Sequence, residues 1–172
     1  MNASFRSFAA SLCTLAAALS GPGAVAAPRA IETFDGTTWQ ALQGALERPA
    51  VVVFSTTDCV HCPAVMEALS REIRARKLNA TLVAVVMDIA PGDADAALMR
   101  DAHYRRADRL FAFAGQAPAL RYAVDPGCRG VTPFVAFLLP HQTPVSVAGP
   151  PSAHVIETWA KATSSMTRAA RR

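Results

Sequence analysis

Apolar and polar positions follow two rhythms along this chain. Val51-Val52-Val53-Phe54, the stretch from Thr81 to Met87 and the stretch from Phe134 to Leu139 are short, continuous apolar runs rich in β-branched and aromatic residues. Runs of that length and composition read as strands covered on both faces. They predict strands over 50–55, 81–87 and 134–139, with a fourth over 145–148 after the turn Pro140-His141-Gln142-Thr143-Pro144. Between them the spacing is helical. Trp39, Leu42 and Leu46 share a face in a helix that Pro49 stops, and Met66, Leu69 and Ile73 repeat through a helix from Pro63 to about Lys77. Glu67 and Arg71 form an i,i+4 pair on its outer side. Pro63 fits its first turn, where a missing N–H costs no internal bond. Further helical stretches are predicted over 94–104, 107–113 and 118–124. A last helix, capped by Ser152, has Val155, Ile156 and Trp159 on one face. Two buried strands joined by a helix predict a right-handed βαβ unit with parallel strands. With no internal repeat, the order describes one α/β domain.

The start of the chain reads differently. Residues 1–7 carry one cation, Arg6, and no acid; Phe8 to Leu19 is almost wholly apolar, and Ala24-Val25-Ala26 has the small-x-small form of a cleavage site. This predicts a secretory signal peptide over 1–26, a domain over 27–165 and a basic tail over 166–172. Leu12 in front of Cys13 argues against lipoprotein processing. No later segment reaches the ~20 apolar residues of a membrane span, so the mature protein is expected to be soluble and exported, periplasmic or secreted. Losing residues 1–26 removes Arg6 and no acid, so the formal charge of the 172-residue chain falls from +4 to +3. Part of that excess sits in Arg168, Arg171 and Arg172, which read as a solvated terminus. No basic stripe interleaved with aromatics is present, so nucleic acid is not an expected partner.

Of four cysteines, Cys13 leaves with the signal. Cys59, Cys62 and Cys128 remain, an odd number that argues against a disulfide-stapled scaffold and for one functional pair. Cys59-Val60-His61-Cys62 falls between a buried strand and a helix, where the helix N-terminus favours a thiolate. A static disulfide or half a zinc site would use the same residues, but Cys128, His103, His141 and His154 show no paired ligand spacing. Those histidines read as surface or capping residues, and Trp39 and Trp159 as core. A peroxidatic role is weaker, because Val52 stands where such a motif has Pro. Cys128 is either a third redox thiol or, as preferred here, a small buried hydrophobe.

Taken together, Cys59-Val60-His61-Cys62 after a strand, Val131-Thr132-Pro133 at the head of the third strand, and a closing hairpin and helix resemble the thioredoxin-like superfamily over about residues 31–163. The resemblance implies a thioredoxin-like α/β fold. Its central mixed four-stranded sheet would be flanked by helices, with a helical insertion before the strand headed by a cis-Pro133. It implies Cys59 as attacking thiolate and Cys62 as the more buried resolving thiol. The Thr132 backbone beside Pro133 would take the substrate chain as an added strand. His61 would lower the Cys59 pKa and Asp58 would oppose it. Three features depart from the general pattern: Asp58 stands where Trp is usual, Val53 where an acid is usual, and the stretch before Pro133 is long. These point to an exported thiol–disulfide oxidoreductase, a TlpA/ResA-like reductase slightly favoured over a DsbA-like oxidant. Its partners would be protein thiols and disulfides and a membrane redox partner, with no cofactor. The alternative is a non-catalytic copper-binding or assembly protein using the same thiols, although exported copper chaperones use Cys-x-x-x-Cys, a spacing this chain lacks.

Overall fold

The computed structural model describes residues 27–28 and 30–169. The expected signal peptide with Cys13, and Arg171 and Arg172 of the expected tail, lie outside the described residues. The sheet is organised around β2 (Ala50–Ser55), all six of whose residues are buried. β2 pairs in parallel with β3 (Thr81–Val86) on one side and antiparallel with β5 (Phe134–Leu138) on the other. β6 (Val145–Ala148) then pairs antiparallel with β5. These four strands are the ones the apolar runs predict, in a mixed arrangement.

The sheet is nevertheless six strands wide, in the order β1-β4-β3-β2-β5-β6. The two additions correct the expected four-stranded sheet. β4 (Arg109–Phe113) lies parallel to β3, and β1 (Ile31–Phe34) lies parallel to β4 at the edge. The 107–113 stretch expected as helix is therefore a strand. Leu110, Phe111, Ala112 and Phe113 are all buried, and a run apolar on every face has no period that separates strand from helix. Its length, one turn and a half of helix, suits a strand better. β1 has one fully buried residue, Phe34, too weak a signal to stand out in the sequence. The insertion before Pro133 is likewise more than helical: it contains α3 (Asp95–Arg100), a 3₁₀ turn (Tyr104–Arg106), β4 and α4 (Ala117–Val124).

Alternating residues of each strand feed two cores. Val51, Val53, Leu82, Ala84, Leu110, Val135 and Phe137 face α2 (Cys62–Ala75) and α5 (Ala153–Ala169). On that side Met66, Leu69 and Ile73 of α2 and Trp159 of α5 fill the layer, as their helical spacing predicts. Val52, Phe54, Val83, Val85, Phe111 and Phe113 face α1 (Thr38–Gly44) and α4, with Trp39, Leu120 and Val124 packed on them. Ser152 accepts a bond from the Val155 N–H at 3.4 Å at the head of α5, and α5 runs on through Arg168 to Ala169. No helix among the described residues is long and apolar enough to cross a membrane.

Leu110 is fully buried at the centre of β4, so Leu110→Ala should destabilise the fold by about 2–5 kcal/mol. Urea denaturation should show the midpoint falling with an unchanged m-value. A helix exposing that position would tolerate the substitution.

Candidate active site

The site forms where β2 runs out of partners. The Met87 N–H donates to the Ser55 carbonyl at 2.9 Å, and beyond this point the connector Thr56-Thr57-Asp58 leaves the sheet. Its next amide, Thr57, donates to both carboxylate oxygens of Asp88, at 3.1 and 3.0 Å, and the Thr57 hydroxyl donates to the same group at 2.6 Å. On the other side the hydroxyls of Thr56 and Thr132 lie 3.4 Å apart. The connector is thus tied to the end of β3 and to the loop before β5. The Cys59 N–H donates to the Thr56 carbonyl at 3.1 Å and the Cys62 N–H to the Cys59 carbonyl at 3.3 Å. These turns deliver the motif into the first turn of α2.

Cys59 and Cys62 are joined as a disulfide with their Cα atoms 5.5 Å apart. Cys62 is fully buried, whereas Cys59 is partly exposed. That asymmetry suits an attacking sulfur in front and a resolving sulfur behind. The unpaired N–H groups at the start of α2 place a partial positive charge beside both. His61 occupies the cap position of α2 without making a side-chain capping bond. It lines a groove of about 320 Å³ with Ala64, Ala68, Pro150, Pro151 and Ile156. Asp58 and His61 are both exposed.

The Thr132–Pro133 bond is cis. Pro133 is buried and Thr132 half-buried, and the Pro133 carbonyl accepts the Gly149 N–H at 2.8 Å, which fastens this loop to the end of β6. Val131 in front of it is 56% exposed and Val60 inside the cysteine motif is 82% exposed. Two bare apolar side chains therefore flank a polar frame.

Behind the connector, the Ser55 and Tyr104 hydroxyls meet at 3.0 Å, both side chains buried. Burial raises the Tyr104 pKa above its ordinary value, against the Ser55 bond and with help from the charges of Asp88 and Asp101. His103, which the sequence reads as a surface or capping residue, stands at the cap position of the 3₁₀ turn but is half-buried and makes no side-chain capping bond. Its ring lies 3.8 Å from the Tyr104 ring, its Nδ1 is 2.6 Å from Asp101, and its buried Nε2 has no hydrogen-bond partner among the described residues. His141 and His154 are exposed. Cys128 is an unpaired buried thiol among Leu120, Val124 and Phe134, in the core on the face opposite α2. Burial is the main cause that pushes its pKa up. Among the described residues no three His, Cys, Asp or Glu side chains gather in a metal-binding group.

Sequence reading passed over Asp88, Ser55 and Tyr104. In the sequence Asp88 is only the residue that follows the apolar stretch Thr81 to Met87. The one available signal is its position, two residues past β3, the strand that pairs with the one leading to Cys59.

Tyr104→Phe should leave the buried Ser55 hydroxyl without a partner and cost about 1–3 kcal/mol in urea denaturation. Cys128 should react with a thiol reagent only when the protein is unfolded. Because its folded pKa exceeds its unfolded one, the unfolded chain loses this proton first. Stability should therefore fall as pH rises from about 8.5 toward the folded pKa. Cys128→Ala should flatten that fall, seen as a smaller difference between urea midpoints at pH 7 and pH 10.

No protein-family model and no curated protein matches the chain. Among solved structures it is similar to a secreted Mycobacterium tuberculosis disulfide oxidoreductase homologous to E. coli DsbE. That chain is 20% identical, with 72% of this chain and 85% of that one covered and a TM-score of 0.49. It is also similar to the thioredoxin domain of a thiol-disulfide oxidoreductase from Bacteroides vulgatus, 14% identical, covering 70% of this chain and 83% of that one with a TM-score of 0.49.

Proposed function

We propose that this chain is an exported thiol–disulfide oxidoreductase that acts on protein substrates, released from a signal peptide after Ala26 and working in the reducing direction. The observation that carries the reading is the asymmetric Cys59–Cys62 pair at the start of α2, its outer sulfur accessible and its inner one buried. A static disulfide needs no such asymmetry, whereas a two-step exchange does.

In the reducing direction the Cys59 thiolate attacks one sulfur of a substrate disulfide. A Cys59–substrate disulfide forms and the other substrate sulfur leaves as a thiolate. Cys62, after losing its proton, attacks the Cys59 sulfur, closes the Cys59–Cys62 bond and expels the second substrate thiolate. Two electrons pass to the substrate, whose sulfurs take up two protons. A membrane dithiol partner then returns two electrons to the pair. Thr132 and Pro133, in the loop just before β5 and beside the connector, offer a backbone edge to an extended substrate. Val60 and Val131 suit an apolar neighbour of the target cysteine.

What supports the reducing direction is the acids carried near Cys59 in the connector and its partner. The carboxylate of Asp58 is adjacent in sequence, and that of Asp88 is bound to the connector. Neighbouring anions disfavour a thiolate and so favour the disulfide form, the mark of a reductant. His61 and the α2 N-terminus pull the other way, and His61→Ala should make the pair more reducing.

Equilibration of the mature protein with glutathione buffers tests the reading. A reversible two-electron couple nearer −270 mV than −120 mV, taking those as roughly the potentials of reducing and oxidising reference enzymes, is the expected result. Failure to find any reversible couple would sink it, and a couple near −120 mV would reverse the direction. Cys62→Ser should accumulate mixed disulfides through Cys59, whereas Cys59→Ser should accumulate none.

A further inference from the structure

The Asp88 carboxylate does something the redox chemistry of the pair does not by itself require. In a parallel ladder the next amide of β2 would reach a β3 carbonyl, but Thr57 is held by a side chain instead. Both Asp88 oxygens accept from the Thr57 N–H, and one also accepts from its hydroxyl. Thr57 lies two residues before Cys59. The first turn of the motif hangs on its neighbour, because the Cys59 N–H donates to the Thr56 carbonyl. The only other side-chain tie on this connector is the longer Thr56–Thr132 contact among the described residues.

We propose that Asp88 is a positioning residue for Cys59, its carboxylate holding Thr57 so that the connector presents the Cys59 sulfur in line with an incoming disulfide. This rests on the thiol–disulfide reading above and extends it to a residue 31 positions from Thr57. The chemistry explains why a carboxylate suits the place. One planar group satisfies an amide and a hydroxyl of the same residue, and charge-assisted bonds are the shorter and stronger kind. Asp88 is itself exposed, so making these bonds does not require burying a carboxylate. Thiol–disulfide exchange runs through three sulfurs in line, and its rate is sensitive to misplacement of the attacking atom.

The test compares wild type, Asp88→Asn, Asp88→Ala and Thr57→Val. The readouts are the second-order rate of the reduced protein with glutathione disulfide, the pH profile of Cys59 alkylation, and thermal unfolding. Asp88→Ala should slow exchange about ten- to a hundredfold at temperatures far below melting. Asp88→Asn, which keeps an acceptor oxygen, should return the rate to within about threefold of wild type, and Thr57→Val should fall between the two. A purely structural residue would lower the melting temperature and leave the rate of the native protein unchanged, and that result overturns the proposal. Equal rates in Asp88→Asn and Asp88→Ala, with an equal downward shift of the alkylation midpoint, would assign the effect to charge and overturn it too. If Asp88→Ala does not fold, Thr57→Val decides: a wild-type rate overturns the proposal and a slowed one supports it. A wild type with no reversible couple defeats the redox reading itself, whereas a normal couple with unaffected variants defeats only the assignment of Asp88.

Discussion

Everything in this protein depends on β2 being hydrogen-bonded along both edges and covered on both faces. A strand so placed has no freedom to slip, since a one-residue shift would exchange its two packed faces. Its end is therefore fixed in space, and the residues that follow inherit that position. The same saturation creates a difficulty one residue later. When the chain leaves the sheet, its amides lose the partners that neighbouring strands supply; the Asp88 carboxylate takes over for the Thr57 N–H, and a hydroxyl contact between Thr56 and Thr132 adds a second tie. The cysteine pair is built on the frame that results.

How much of this was legible beforehand follows from how local each signal is. The limits of β2 and β6 were readable to the residue, because turn or proline signals bracket both runs. β4 was not, because four successive buried residues, Leu110 to Phe113, carry no periodicity, and β1 lies at an edge with little to bury. The cysteines and Pro133 announce themselves as short motifs. Asp88 and Tyr104 do not, since Asp88 meets Thr57 across 31 positions and Tyr104 meets Ser55 across 49. A single sequence holds no record of such pairings. They come into being only when β3 and the 3₁₀ turn are laid against β2.

The surface around the pair joins opposite characters. Asp58 and His61 are exposed and polar, whereas Val60 and Val131 expose apolar surface beside them. Exposed apolar side chains set together next to a reactive group are the usual sign of a contact surface. The polar frame lies behind them and under the connector, where Asp88 and the Ser55–Tyr104 pair hold its geometry.

The burial of Cys128 has a consequence for how the protein is made. Among Cys59, Cys62 and Cys128 three pairings are conceivable, and only one of them is the pair seen at the head of α2. Once the chain is folded, the sheet stands between Cys128 and α2, so the two wrong pairings are closed to it. They remain open to a nascent chain that meets an oxidant before its core has formed. Faithful maturation therefore sets an order of events, with collapse of the Leu120–Phe134 side of the core ahead of oxidation. Overexpression into a strongly oxidising compartment would strain that order first.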